Sequence, residues 1–597
     1  MRPMKRLSTL WFGFLLAFAA GGATPLQERA DRFLAVVNAG FQALYRVNSE
    51  AQWAAATDVK PVNDAASEAA GKAYAAFNGN PAIISEAKAL LAQRLELTEL
   101  QVRQLERALL NAAEGPMTDP DLVNRRITAE TAQNSALNGF QFRLRGSNVV
   151  ANDLDRVLSK VTDLTERRAA WEASKLTGPA LKPGLVKLQG LRNGVARELG
   201  HSNYFSLQVA GYGMKADEML KLNDDFLREL RPLYLQLHTW AKHKLAAKYG
   251  QPVPARIPAH WINNRWSQEW GGLVEAASLD RYFTNRTPES ITKTAEQFYV
   301  GLGFPPLPKT FWSRSDLFPA AEGSGRLKNS HASCWHVDLQ DDIRSLMSVE
   351  SNPWWFYTAH HELGHGYYFM AYTRPEVPPL LRTGANPAFH EGIGEQIALA
   401  AGQTPYLKKV GVLPADYQED QTATLLETAL SHAVPFLFWA SGTMTHWEHD
   451  LYAKDLPPSE YNARWWRYVA DFQGVEPPAG PGTRGEEFCD AATKTHINDN
   501  PAYYYSYAIA TVQKFQIHDH IARRILHQPP QSCDYAGNKE VGDFLKKFLS
   551  VGATRDWRQL LREATGEDLS TRAMKEYFAP LQKWLEKENA GRKIGWE

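Results

Sequence analysis

The chain has 597 residues, with Lys plus Arg equal to Asp plus Glu at 66 each. That balance excludes a broad basic surface for nucleic acid, and the length permits a large buried core. Three cysteines, Cys334, Cys489 and Cys533, allow at most one disulfide, so the fold must stand on its core.

From the N-terminus, Arg2, Lys5 and Arg6 form a positive region, Leu10 to Ala20 an apolar run, and Gly21-Gly22-Ala23 a small-residue cleavage site. Residues 1–23 therefore read as a secretory signal peptide. The run is short for a membrane span. The expectation is an exported protein, periplasmic or secreted, with no membrane anchor after signal removal. Ala65 to Ala113 is rich in good helix formers and is interrupted at Asn78-Gly79-Asn80-Pro81. Asp217 to Tyr249 and Tyr535 to Leu585 read as helices broken by short turns, while Pro375 to Pro379 and Val475 to Gly485 read as loops. Strand-like alternation is scarce and no internal repeat is visible. The fold class is mainly α with very little β.

Two motifs carry the chemistry. His361-Glu362-Leu363-Gly364-His365 is an H-E-x-x-H sequence, and His390-Glu391-Gly392-Ile393-Gly394-Glu395 follows it. Positions i and i+4 of a helix share a face, so His361 and His365 can present two imidazoles to one ion. Glu362 leans beside them. Chance supplies on the order of 0.03 such matches in a chain of this composition. The flanks, Trp354 to Tyr357 and Tyr367 to Met370, make the segment a buried helix, in which unpartnered polar groups are costly. A catalytic zinc takes three protein ligands and keeps one position open. Glu391 is the leading third ligand, and Glu395, one turn on, is placed to receive the outer N–H of a ligating imidazole. Together they read as a zinc peptidase site with one Zn2+ per chain.

Thr358 to His365 and Leu381 to Glu391 closely resemble the angiotensin-converting enzyme family of peptidyl-dipeptidases. So do Ile257 to His260, Arg265 to Trp270, His331 to Ser333, Tyr461-Asn462 with Trp465-Trp466, Phe472 to Gly474, and Lys494 to Ile497. The resemblance runs in order through most of the chain after about residue 160, and the first 160 residues match loosely. It implies one catalytic unit over 24–597, in two halves around a deep central cleft, with a helical lid over about 24–110. A lid of that kind excludes folded proteins and admits short peptides.

The resemblance also assigns roles. Glu362 acts as general base, while Tyr507 and His496 stand near the oxyanion. Gln268, Lys494 and Tyr504 anchor the free C-terminal carboxylate of a peptide. His331 touches the carbonyl between the two leaving residues, and the Ala332 backbone pairs with the chain across the cut. The run Tyr503-Tyr504-Tyr505-Ser506-Tyr507 admits two registers: anchoring on Phe515-Gln516 selects Tyr504 and Tyr507, whereas anchoring on His496 selects Tyr503 and Ser506. Serine cannot replace the phenol, which favours the first. Glu395 departs from the aspartate more usual in the family, a change of about one methylene in reach. Animal members are activated by buried chloride held partly by arginines; this chain has Val469 and Ser506 at two such places, so chloride activation is expected to be weak or absent.

The expected activity is release of C-terminal dipeptides from short peptides with a free C-terminus. Two alternatives stay open on the sequence: a carboxypeptidase or oligopeptidase of a related gluzincin clan, which would release other products, and an inactive peptide-binding homologue.

Overall fold

The computed structural model describes residues 22–596 except 114, 275–278, 322, 327, 330, 331 and 432. Nearly all of the expected signal segment, and His331, lie outside the described residues.

Helix α1 (Pro25–Thr57) opens with a capping box between Thr24 and Gln27 and with proline in its first turn, which satisfies amides left without an intrahelical partner. Helix α2 (Pro61–Asn78) stops at Gly79, and α3 (Pro81–Leu91) restarts on an Asn80 cap, at the break expected from Asn78-Gly79-Asn80-Pro81. Helices α4 (Glu99–Ala112) and α5 (Pro120–Asn138) follow on Thr98 and Asp119 caps. Helices α1, α3 and α4 share an apolar cluster of their own, built on Leu34, Phe41, Leu90 and Leu105, which rests on Leu339 and Leu380. The main core is a separate, much larger cluster that runs from Ile84 to Trp596.

The segment Ala216–Tyr249 is one helix of 34 residues with Pro232 inside it, not helices broken by short turns as expected for Asp217 to Tyr249. Proline there removes one backbone hydrogen bond, but Leu230, Leu233, Tyr234 and Leu237 around it are almost wholly buried. Burial of roughly 1.5–3 kcal/mol per large apolar side chain outweighs the lost bond. Between Tyr535 and Leu585 the expected series of short helices is found.

Among the described residues, six short strands make three two-stranded sheets. Strands β1 (Phe142–Leu144) and β2 (Ser147–Val149) form a hairpin turned at Arg145-Gly146, both at positive φ. Strands β3 (Ile257–Pro258) and β6 (Val475–Glu476) pair in parallel. Strands β4 (Ser333–His336) and β5 (Ile343–Leu346) pair antiparallel with Ser333 opposite Leu346. Among the described residues, no strand covers the other edge of β4. With 64% helix and 3% strand, the chain is mainly α. No helix of the described residues is long and apolar enough to cross a membrane.

The helices that matter to the site are α6 (Pro353–Tyr372), α7 (Phe389–Ala401) and α8 (Tyr504–His520). They pack against one another with α7 in the middle.

Candidate metal centre

Helix α6 starts on an Asn352 cap, whose side chain accepts from the Trp355 amide, with Pro353 in the first turn. That start fixes the phase of the helix, and His361, Glu362 and His365 come out toward α7. Helix α7 begins after a tight loop in which Asn386 Oδ1 accepts from the Ala388 amide at 2.8 Å. The two helices approach closely through glycines. A Cβ on Gly364 would lie 3.3 Å from Gly394 Cα, and one on Gly394 would lie 2.8 to 3.0 Å from three atoms of the His361 ring. Absence of a side chain at Gly394 is what leaves room for that imidazole.

The donor atoms of His361, His365 and Glu391 all lie within 4.8 Å of one another. His361 Nε2 is 3.0 Å from His365 Nε2 and 3.6 Å from Glu391 Oε2. Two nitrogens at about 2.05 Å on one tetrahedral ion stand about 3.3 Å apart, so both separations are close to those of a shared zinc. Burial lowers the His361 and His365 pKa values, the latter to about 4. Both imidazoles are therefore neutral near pH 7, with lone pairs available as ligands. One oxygen of Glu362 is buried without a hydrogen-bond partner, a costly state unless something else occupies the site. Burial, and then the charge of Glu391, raise its pKa to about 8. These residues fit a zinc ion.

Glu395 Oε1 stands 3.8 Å from His361 Nδ1, beyond direct hydrogen bonding. Its other oxygen accepts from Lys514 Nζ at 3.0 Å, so the longer side chain is held by a lysine of α8. Sequence reasoning did not find Lys514; a charged residue between Gln513 and Phe515 in a buried helix was the available signal.

The three expected carboxylate anchors come together. Lys494 Nζ donates to Gln268 Oε1 at 2.9 Å and sits over the rings of Trp266, Trp439 and Tyr504, at 4.4, 4.9 and 5.4 Å from their centroids. Cation–π contacts hold this ammonium, and Trp439 is a member that the sequence reading missed. Burial pulls the Lys494 pKa down to about 7, against the opposing charge of Glu269. Tyr504 and Tyr507, one turn apart with ring centroids 5.2 Å apart, face His496 at 5.0 and 6.1 Å. Ser506 is buried, and the Tyr503 hydroxyl donates to the Pro387 carbonyl. Burial and the Glu391 charge raise the Tyr507 pKa to about 12, so its phenol stays protonated and remains a donor.

Ala332 immediately precedes β4. Strand β4 packs on α6, with Cys334 Sγ 3.4 Å from the place a Gly366 Cβ would take. The strand with the uncovered edge thus packs against the helix that bears Glu362. All three cysteines are free.

The family profile described as angiotensin-converting enzyme matches residues 24–596. The chain is 30% identical over 470 residues to the angiotensin-converting enzyme of Mesocricetus auratus, covering 74% of this chain and 34% of that one. It is 29% identical over 457 residues to that of Theromyzon tessulatum, covering 73% and 72%. The angiotensin-converting enzyme-related protein of Drosophila melanogaster is 29% identical over 470 residues, covering 74% and 72%. The matches span only about a third to under half the length of the mammalian relatives. With the profile match running over nearly its whole length, the chain belongs to the angiotensin-converting enzyme family.

Proposed function

We propose that the chain is a zinc-dependent peptidyl-dipeptidase that releases C-terminal dipeptides from short peptides. The observation that carries this reading is the pairing of a His361, His365, Glu391 donor set with a separate hydrogen bond between the buried Lys494 and the half-buried Gln268. The first suits hydrolysis and the second suits capture of a terminal carboxylate.

Zinc, held by His361, His365 and Glu391, would supply Lewis acidity toward the scissile carbonyl and acidify a water. Glu362 would be ionised beside a dication, and its carboxylate would take a proton from the attacking water and hand it to the leaving amine. Tyr507 would donate its phenolic hydrogen bond to the developing oxyanion, with His496 next to it. Lys494 would contribute a charge, and Gln268 and Tyr504 neutral donors, to the substrate C-terminus. The open edge of β4, from Ala332 onward, would take the peptide backbone as an added strand; His331 is proposed for the same stretch on the family pattern alone. The α1–α4 layer, with its own small core, suits a lid. The basic and then apolar opening of the sequence supports export to the periplasm or beyond.

The test is mass spectrometry of products from N-blocked tripeptides and hexapeptides incubated with zinc-loaded enzyme. Dipeptides cut from the C-terminus, lost on chelation and regained with zinc, are the expected result. Single amino acids would establish a carboxypeptidase instead, and no product at all an inactive homologue.

A further inference from the structure

A cavity of about 670 Å³ opens between the α1–α5 layer and the loop that leads into α7. Its walls include Asn48 of α1, Arg107 and Asn111 of α4, Arg126 and Glu130 of α5, and Pro387. Gln268, Lys494 and Tyr504 are not among them, so this space is distinct from the carboxylate anchor. It adjoins the metal site by one wall, since Pro387 lies four residues before Glu391 and its carbonyl accepts from Tyr503. It adjoins β4 by another: just beyond Asn48, Glu50 pairs with Arg344 of β5 and Trp53 packs edge-on against Trp335 of β4.

The charges of the cavity do not cancel. Glu130 is offset by two arginines, Arg192 at 3.3 Å and Arg126 at 3.8 Å. Arg107, half-buried in the wall, makes no ion pair with any described residue. Asn111 stands one helical turn from Arg107, so the two side chains are neighbours on one face of α4. Its Nδ2 is buried with no hydrogen-bond partner, and so is Oδ1 of Asn48, a residue only 9% exposed. Unsatisfied polar atoms in the wall of a cavity this large call for a ligand or ordered water. A guanidinium beside an amide donor suits a carboxylate, and the Asn48 oxygen is an acceptor suited to a peptide N–H.

We propose that this cavity is a specificity subsite for an acidic side chain on the part of the substrate N-terminal to the cut, with Arg107 and Asn111 as its carboxylate receptor. The proposal rests on the peptidyl-dipeptidase reading. A peptide fixed at its C-terminus by Lys494 and laid along β4 has its remaining residues to place, and this space adjoins the loop before Glu391 and, through α1, the β4–β5 pair.

The experiment uses N-blocked hexapeptides that share one C-terminal dipeptide and carry Glu or Gln at each of the four preceding positions in turn. At one of those positions Glu should exceed Gln in kcat/KM by about tenfold, the scale of one charge-assisted contact. In Arg107→Gln that ratio should fall to about one, and in Arg107→Glu it should invert, with Lys at that position preferred over Glu. These are ratios within one enzyme preparation, so a loss of folded protein does not imitate them. A Glu-to-Gln ratio below about two at all four positions in the parent, or a ratio that survives Arg107→Gln, overturns the subsite. If the peptides yield dipeptides without any acidic preference, the subsite alone fails. If they yield no dipeptides, the functional reading it rests on fails.

Discussion

Replacing Lys494 by Met separates what this lysine costs the fold from what it does for substrate. The buried ammonium has a pKa of about 7 in the fold against 10.5 for a free lysine. Below about pH 7 both folded and unfolded chains hold the proton, and the folded state bears the full cost of a buried charge, on the order of 5 kcal/mol. Between about 7 and 10.5 the unfolded chain keeps a proton that the folded chain has released, so stability rises with pH across that window. Above 10.5 the cost is gone. Lys494→Met removes it but deprives Gln268 Oε1 of its donor, a loss of about 1–3 kcal/mol. The variant should therefore be more stable than the parent by a few kcal/mol at pH 6.5, with the gain shrinking as pH rises to 9. It should also bind free-carboxylate peptides poorly. Urea denaturation at matched zinc loading measures the first, and KM for free and amidated peptides the second. In the parent, kcat/KM reports the free enzyme, and at pH 8 only about a tenth of Lys494 would carry its proton. An alkaline decline beginning near pH 7 follows for free-carboxylate substrates, and Lys494→Arg should lose it. A stability gain over the parent no larger at pH 6.5 than at pH 9, with a parent kcat/KM profile flat from 6.5 to 9, would refute the reasoning.

Glu362→Gln should keep zinc and fold while turnover drops by about two to four orders of magnitude, because the amide cannot accept the proton; zinc content and single-turnover rates check it, and near-normal turnover with zinc bound would exclude the general-base role. Gly394→Ala places a methyl 2.8 to 3.0 Å from the His361 ring, so it should weaken zinc binding by at least about tenfold, read by competition with a chromogenic chelator, whereas unchanged affinity would show that the helices can part. Chloride should give less than about a twofold gain in kcat/KM over acetate at matched ionic strength. Val469 is buried and offers no donor, Arg467 points outward to Asp471, and Trp466 Nε1 and the Arg484 guanidinium are already spent on Asp490. A several-fold gain specific to chloride would point to Lys175, buried near the same carboxylate, as a substitute for the missing arginine.

Local signals in the sequence reached as far as local physics does. The i, i+4 spacing of His361 and His365 is a property of any helix, and the Asn-Gly-Asn-Pro break needs only the preferences of four residues, so both could be read before any packing was known. Glu391 was harder, since 26 positions and a loop separate it from His365, and only the motif around it made it a candidate. What sequence could not supply is what packing decides between distant segments. Pro232 reads as a helix breaker, yet the apolar residues around it bury so fully that the helix continues. Gly394 reads as a weak point in a helix, yet it is the opening through which His361 reaches its partners. Lys514, Trp439 and Arg107 look like ordinary side chains until α8, the Trp439 segment and α4 are brought beside Glu395, Lys494 and the cavity. In each case the chemistry comes from a charge whose surroundings are set in part by residues more than fifty positions away. Lys494 shows it most plainly: in isolation it is a surface lysine, and three aromatic rings and a glutamine surround it as a buried ammonium poised near pH 7, the group proposed above to hold a peptide's end.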